Sequence, residues 1–203
     1  MLFRKTRKVR KGQAMVEYAL LVVCIAVVGA VAEKYPGLSV LQIDAHADLR
    51  ESFMGTPHNH ACAMRRTLEF ARTTQVGIRS LSPEEAAAVP TLATAIFYDF
   101  NMRDDADWIE RVVDSLTEHV YITIDVDGFD PAIMPATGTP EPGGLSWYEA
   151  LKLLRRVVER RTVVGCDVVE LSPMPGHVAP NFLCAKLIYK ILTYQFTKTK
   201  TGD

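Results

Sequence analysis

The chain has 203 residues, enough for one ordinary domain with an appendage but not for two full domains. Apolar residues make up 48% of it and charged residues 23%, which excludes wholesale disorder, a collagen-like repeat and a disulfide-rich miniprotein. Six of the 23 Lys and Arg residues lie in residues 1–11, so the remainder has 17 cations against 24 acidic residues and lacks the charge of a nucleic-acid-binding protein.

The N-terminal segment joins a basic stretch to an apolar one. Residues 19–32 are all apolar or small, and Glu17 interrupts the apolar region before them. A membrane-spanning helix needs about 20 apolar residues, so this run is short for a span. The basic-then-apolar order is nevertheless typical of a signal peptide or a membrane anchor. We therefore expect an apolar helix here, and residues 15–32 are the candidate for contact with a membrane.

A more specific motif lies in the same segment. The run GQAMVEY over residues 12–18 follows the basic leader and resembles the processing site of type IV prepilins of the Flp class. The resemblance implies cleavage after Gly12 and pairing of Glu17 with the new N-terminal amine of a neighbouring subunit. A generic apolar helix with Glu17 in its first turn explains the same residues. We predict a leader and pilin-like or membrane-anchor helix over 1–32, followed by a separate domain over 33–203.

Strand and helix patterns alternate from residue 33 onward. Three short apolar runs predict strands at 39–43, 120–124 and 162–169, and two weaker runs lie at 75–79 and 95–98. This alternation predicts an α/β fold with a parallel sheet and helices on both faces.

The predicted helices lie between these strands. Residues 82–85 and 146–149 are capping boxes, and the second begins a helix that continues to about residue 160. The other predicted helices are at 64–73, 105–117 and, as an amphipathic helix, 180–196.

The four cysteines are spread over the chain without a CxxC pair: Cys24, Cys62, Cys166 and Cys184. This spacing is typical neither of a zinc finger nor of a disulfide framework. We interpret them as small buried residues of a protein in a reducing compartment.

Polar residues follow the first predicted strand at alternate positions, Asp44, His46 and Asp48. Because alternate residues of a strand point to the same side, we expect two carboxylates and an imidazole to converge. Buried carboxylates need a cation, and this mixture of ligands favours Mn²⁺, Zn²⁺ or Fe²⁺ over Ca²⁺. The alternative to a metal site is that these residues are an ordinary polar end of the strand and only cap neighbouring backbone groups.

A second acidic pair, Asp125 and Asp127, follows another predicted strand. The carboxyl ends of parallel strands lie at one edge of a sheet, where ligands bind. The two clusters together predict a pair of metal ions about 3.5–4 Å apart, which lowers the pKa of a bridging water and generates a hydroxide nucleophile. Glu170, after the third strand, either faces the same crevice and suits a cationic substrate or faces water.

The loop over residues 130–144 contains four prolines and three glycines, which favours a shaped functional loop over a flexible one. Of His58 and His60, one is a candidate acid, base or substrate contact. An exposed loop histidine is the alternative for each and is favoured for His58. We interpret His119 as structural and assign no role to His177.

These motifs together resemble the ureohydrolase family of arginase and agmatinase. The resemblance rests on DAHAD at 44–48, DVD at 125–127 and TGTP at 137–140. The agmatinase branch in particular is indicated by HACAMRR at 60–66, by QVGIRS at 75–80, and by VVELSP at 168–173 followed by GHVAP at 176–180. The similarity extends over residues 31–192.

The resemblance implies an arginase-like fold and hydrolysis of agmatine to putrescine and urea with two Mn²⁺ ions. It implies that Asp44 and Asp125 bridge both ions, that His46 and Asp127 complete one site, and that Asp48 binds the other. Guanidinobutyrate and other guanidino amines remain open as substrates.

The resemblance also assigns roles outside the metal ligands. It implies that His60 is a proton shuttle or substrate contact and that Glu170 holds the guanidinium, and with Asp48 these are our candidate catalytic residues. It further implies a homo-oligomer. We expect the catalytic part in the cytoplasm, with membrane association only through the N-terminal helix.

The chain departs from the family pattern at its front. Family members have another ligand histidine in a Gly-Gly-(Asp/Glu)-His-Ser segment and further strands upstream, whereas no histidine precedes His46 here. We therefore expect an N-terminally truncated sheet with an exposed edge, a doubtful second Mn²⁺ site and impaired activity. The alternatives are an inactive ureohydrolase fragment fused to a membrane or pilin-like segment, and an inert product of gene rearrangement.

Overall fold

The computed structural model of the protein describes residues 25–198. Its strands are β1 (Ser39–Ile43), β2 (Arg72–Ile78), β3 (Thr94–Tyr98), β4 (His119–Asp125) and β5 (Thr162–Val169). They form one five-stranded sheet in the order β3-β2-β1-β4-β5, and all four neighbouring pairs are parallel. The predicted parallel α/β sheet is confirmed.

The strand order reverses between β1 and β4. From β1 the chain adds β2 and β3 on one side, and it then returns to add β4 and β5 on the other. All five residues of β1 are buried because it lies in the middle of the sheet. In an open parallel sheet, the crevice beyond the carboxyl ends of the strands at such a reversal is the usual ligand-binding place.

Helices cover both faces of the sheet. Residues 25–34 are helical and are called α1. The others are α2 (Ala63–Thr67), α3 (Pro83–Ala88), α4 (Asp99–Met102), α5 (Trp108–Ser115), α6 (Trp147–Arg160) and α7 (Ala179–Thr197). Apolar residues of α4 to α7 pack with Leu41, Ile43 and Ile122 in one cluster. Those of α1 and α2 pack with Val40 and Tyr121 in the other, because alternate strand residues face opposite sides.

A bulge in β2 breaks this alternation. Val76 belongs to the first cluster and Ile78, two residues later, to the second. The register shifts between them, and the intervening Gly77 has a φ of +90°. A glycine tolerates this conformation without steric cost, so Gly77 allows Val76 and Ile78 to face opposite sides of the sheet.

Two helix predictions differ from the structure in extent. The helix predicted over 64–73 ends at Thr67, because Arg72 already begins β2, where the β-branched Thr73 and Thr74 pair with β1 and β3. The helix predicted over 105–117 extends only over Trp108–Ser115. Both predicted capping boxes are confirmed, each with its two reciprocal hydrogen bonds.

Helix α7 is not amphipathic as predicted. Cys184, Leu187 and Ile191 are buried on one side, but large apolar side chains also lie on the exposed side. These are Phe182, Ile188, Tyr189, Leu192 and Phe196. Next to α7, strand β5 is an edge of the sheet and is only half-buried over most of its length.

The described part of α1 packs against the domain. Val28 is 4% exposed, and the ring of Phe70 lies 3.5 Å from where a Cβ on Gly29 would stand. The basic leader and the whole prepilin-like run at 12–18 fall on residues 1–24, outside the described residues, so the boundary at residue 32 stays a prediction. Within residues 25–198, no helix is both long and apolar enough to span a bilayer. Cys62, Cys166 and Cys184 are free thiols.

Candidate functional site

A cavity opens where β1 and β4 end, at the reversal of strand order. All seven residues singled out from the sequence line it: Asp44, His46, Asp48, His60, Asp125, Asp127 and Glu170. The structure thus brings together residues that follow three different strands. Their roles as ligands and catalysts remain predictions.

The first acidic segment does not follow the predicted strand geometry. β1 ends at Ile43, so the alternation of a strand does not orient Asp44, His46 and Asp48. His46 instead forms an isolated bridge to Ser80, and Asp48 has a φ of 53°. The side chains meet because the chain bends across the ends of β1 and β2.

The second acidic pair is oriented by one turn of 3-10 helix over Val126–Gly128. The carboxylate of Asp125, the last residue of β4, accepts a 2.9 Å hydrogen bond from the amide of Asp127 and caps this turn. Gly128 lets the turn lie against β1, because a Cβ there would stand 2.8 Å from the amide nitrogen of Asp44. This close approach places Asp127 beside His46.

Three of the five predicted metal ligands form a tight group. In the described part of the chain, Asp44, His46 and Asp127 each offer a ligand atom, and these atoms all lie within 4.8 Å of one another. His46 Nδ1 lies 3.0 Å from Asp127 Oδ2 and 3.5 Å from Asp44 Oδ1. Asp48 and Asp125 line the same cavity but do not belong to this group. Two carboxylates and an imidazole suit a divalent ion such as Mn²⁺.

Burial and mutual repulsion change the proton affinities of these groups. Burial raises the pKa of Asp44 to about 7, against the opposing effect of the His46 hydrogen bond. Burial and the neighbouring carboxylates raise the pKa values of Asp48 and Asp125 well above the ordinary range. Clustered carboxylates of this kind favour a cation between them, so the site fits a metal ion.

His46 and Asp127 stabilise each other's charged forms. The hydrogen bond to Asp127, followed by that to Asp44, raises the pKa of His46 to about 10. Burial would raise the pKa of Asp127, but the hydrogen bond and charge of His46 lower it below its ordinary value. A metal ion bound by His46 must therefore displace a proton.

Neighbouring polar groups orient the carboxylates of Asp127 and Asp44. Thr139 donates its hydroxyl to Asp127 Oδ2 at 3.0 Å, and the amide of Ala45 donates to Oδ1 at 3.0 Å. Gln42 donates to Asp44 Oδ2 at 2.6 Å, and Gln75 in turn donates to Gln42. Sequence analysis missed both glutamines, although polar residues inside otherwise apolar strands are a usable signal.

His60 and Glu170 lie at the outer part of the cavity, where both are exposed. The ring of His60 stands edge-on to Phe53 at 5.9 Å. Glu170 has a φ of 62° and Asp48 a φ of 53°. The backbone of both residues therefore lies in the left-handed region, where non-glycine residues are strained. Such strain concentrates at functional sites.

The remaining histidines lie away from the cavity lining. His58 is exposed in the loop before His60. His119 begins β4, at the opposite end of the sheet, and packs against Tyr35 at 5.0 Å between ring centroids. His177 forms an isolated bridge with Met174.

Three further cavity residues were not predicted. Arg50 stacks over the ring of Phe53 at 4.7 Å and lies 3.6 Å from a carboxylate oxygen of the buried Glu85. Glu85 also accepts the amides of Leu49 and Ser82. It was predicted only as part of a capping box, and its position in the cavity depends on how α3 packs.

Comparison with known proteins decides the family. Residues 22–193 match the family model described as "Arginase family". The chain belongs to the arginase family. It is 47% identical to the N(1)-aminopropylagmatine ureohydrolase of Synechocystis sp. over 158 residues, and this alignment covers 77% of this chain and 52% of that protein. It is 36% identical to the agmatinase of Pyrococcus horikoshii, covering 78% of this chain and 58% of that one.

Solved structures agree on the arginase-like fold. The agmatine ureohydrolase of Thermoplasma volcanium superposes with a TM-score of 0.75 and 36% identity, covering 85% of this chain and 59% of that one. The arginase of Bacillus caldovelox superposes with a TM-score of 0.75 at 20% identity, which supports the fold alone. The chain spans about half the length of the curated relatives it matches.

Proposed function

We propose that this arginase-family chain hydrolyses a guanidino C–N bond of a small cationic guanidino amine and releases urea. The observation that carries the proposal is the group formed by Asp44, His46 and Asp127, which shares a cavity with Glu170. A carboxylate beside a metal-ligand group suits a positively charged, planar substrate whose central carbon is attacked by water.

We propose Mn²⁺ as the cofactor, with Asp44, His46, Asp125 and Asp127 as the ligands of one site. Asp48, with the shared acids, would contribute to a second site. When bound, such an ion acts as a Lewis acid that lowers the pKa of water. The raised pKa values of Asp48 and Asp125 support a cation near them as well.

Substrate binding and proton transfer are assigned to residues at the outer part of the cavity. Glu170 would accept hydrogen bonds from the guanidinium and orient its central carbon. His60 would carry a proton to the leaving amine, because an imidazole can both accept and donate a proton. The cavity holds about 420 Å³, in the usual range for small ligands, and its lining is strongly acidic.

The substrate within this class is proposed from two relatives. Agmatine is supported by the motifs at 60–66 and 168–173 and by the agmatinase of Pyrococcus horikoshii. N(1)-aminopropylagmatine is the second candidate, because the relative at 47% identity is named for it. An acidic cavity suits both, since each has a guanidinium and at least one further cationic amine.

The test is urea release by the full chain with added Mn²⁺, from agmatine, N(1)-aminopropylagmatine and arginine in parallel. We expect release from at least one of the first two and less from arginine, whose carboxylate would enter an acidic cavity. Glu170→Gln should lower kcat/KM by at least about tenfold, because an anchored charged hydrogen bond is lost. Glu84→Gln, on the exposed side of α3, is the matched control. No urea from a chain that unfolds cooperatively and binds Mn²⁺ would refute the proposal.

A further inference from the structure

Arg79 lies directly after β2 and connects three separate segments of the chain. Its guanidinium donates only to main-chain carbonyls, at distances between 2.7 and 3.4 Å. The accepting carbonyls are those of Gly77, Asp127, Phe129, Glu141 and Pro142. The shortest of these bonds, 2.7 Å, is to the carbonyl of Asp127.

This arginine has no acidic partner in the described part of the chain, where no carboxylate lies within ion-pair distance of it. Its charge is therefore satisfied by carbonyl dipoles from several directions. A planar guanidinium has five N–H donors in a fixed fork, and a lysine ammonium cannot reproduce that arrangement.

The loop over residues 138–144 is shaped to receive this guanidinium. Gly143 and Gly144 have φ values of +89° and +101°. A Cβ on Gly144 would stand 2.8 Å from Arg79 Nη2, and one on Gly143 would stand 3.5 Å from Arg79 Cδ. The two glycines thus allow the loop backbone to approach the arginine closely.

The same loop acts on a predicted metal ligand. Thr139, in this loop, donates its hydroxyl to the Asp127 carboxylate. Arg79 binds the main chain of Asp127 on one side and the carbonyls of Glu141 and Pro142 on the other. It therefore sets the distance between the ligand and the loop that orients it.

We propose that Arg79 is a positioning residue, which holds Asp127 and the loop over 138–144 in the arrangement that lets Asp127 bind a divalent cation. The inference rests on the metal site of the proposed function. Arg79 is not placed in contact with the cation or the substrate, since each of its three guanidinium nitrogens donates to a main-chain carbonyl.

The test compares Arg79→Met and Arg79→Lys with Arg161→Met in the full chain. Arg161 is the matched control, because it also donates to carbonyls, those of Leu116 and Val113, but lies at the amino end of β5. Mn²⁺ affinity is measured by titration calorimetry. Amide hydrogen exchange of residues 138–145 is measured without metal, and the unfolding midpoint is followed in all variants.

We expect Arg79→Met to weaken Mn²⁺ binding by about 10- to 100-fold, as for groups that orient metal ligands, and to speed exchange in the loop. Arg79→Lys should weaken Mn²⁺ binding nearly as much, because a lysine keeps the positive charge but lacks the planar set of five N–H donors. Arg161→Met should keep wild-type affinity and loop exchange even where its unfolding midpoint falls. If Arg79→Met does not fold, Arg79→Lys alone decides.

The proposal is overturned if the folded Arg79 variants bind Mn²⁺ like wild type, or if the wild-type chain does not bind Mn²⁺. Arg79→Lys at wild-type affinity would likewise overturn it, since charge rather than geometry would then suffice. Urea release from the same samples separates this result from the proposed function. A wild-type chain that binds Mn²⁺ without releasing urea refutes the activity, whereas affinity and loop exchange still decide the role of Arg79.

Discussion

The Nδ1 atom of His46 lies 3.0 Å from Oδ2 of Asp127, although the two residues follow different strands and are far apart in sequence. β1 and β4 are neighbours in the sheet, and Gly128 lets the turn after β4 lie against Asp44. Asp127 raises the pKa of His46 to about 10, so in the metal-free protein the pair is charged. Metal binding at His46, as proposed, would therefore be coupled to proton release.

Asp127→Asn is expected to weaken Mn²⁺ binding by more than about tenfold, because it removes the charge of a proposed ligand that also pairs with His46. Calorimetric titration checks this. Asp130→Asn is the control, since Asp130 lies in the loop after the same turn but its carboxylate accepts the amide of Ala132 and does not line the cavity. Equal affinities of the two variants would contradict the placement of Asp127 in the site.

Thr139→Val is expected to lower Mn²⁺ affinity by about 10-fold or more, because Asp127 loses the hydroxyl that orients its carboxylate. Thr137→Val is the matched change in the same loop. The Thr137 hydroxyl is buried and has no hydrogen-bond partner among residues 25–198, so its loss should leave stability unchanged or raise it. The pair is compared by Mn²⁺ titration and thermal unfolding, and a Thr139 variant with wild-type affinity would show that the hydroxyl is dispensable.

The metal-free chain is expected to lose stability as the pH rises from about 4 to about 7. The pKa of Asp44 is about 7 in the folded protein and 3.8 ordinarily. Its contribution to the free energy of unfolding is therefore fully present below pH 3.8 and is lost as the pH rises through 7. Asp48 and Asp125 shift in the same direction. The loss is on the order of a few kcal/mol for a shift of this size in a buried group.

Urea-induced unfolding in the presence of a chelator, at several pH values, measures this dependence. Asp44→Asn should flatten it, because the substituted residue does not titrate. With saturating Mn²⁺ the stability should instead rise with pH, because the ion binds the ionised carboxylates. Parallel pH profiles for wild type and Asp44→Asn would show that Asp44 does not titrate abnormally.

Gly128→Ala is expected to lower the free energy of unfolding by about 1–3 kcal/mol, because its Cβ would overlap the backbone of Asp44. Gly138→Ala is the control, since a Cβ there meets nothing within 4 Å. Chemical denaturation measures both. If the free energy of unfolding of Gly128→Ala equals that of wild type, the turn after β4 can move away from β1 at little cost.

Local patterns in the sequence predicted much of the fold. The strand at 162–169 and both capping boxes match the structure, because apolar runs and side-chain caps depend on residues close in sequence. The acidic clusters were predictable for a related reason, since parallel strands end at a common edge and so collect the residues that follow them.

Tertiary structure decided what depends on distant neighbours. The helix predicted over 64–73 ends early because Thr73 and Thr74 pair with two other strands. The cavity side chains converge through a bend after β1 rather than by strand alternation.

The sequence alone therefore determined the fold class, the family resemblance and the identity of the candidate ligands, because these reside in short motifs. Only the tertiary structure decided which ligands form the tight group and which groups orient them. The bonds from Thr139 to Asp127 and from Arg79 to three segments join residues whose partners lie far along the chain. No local periodicity reports such contacts, because they exist only once the strands have taken their order.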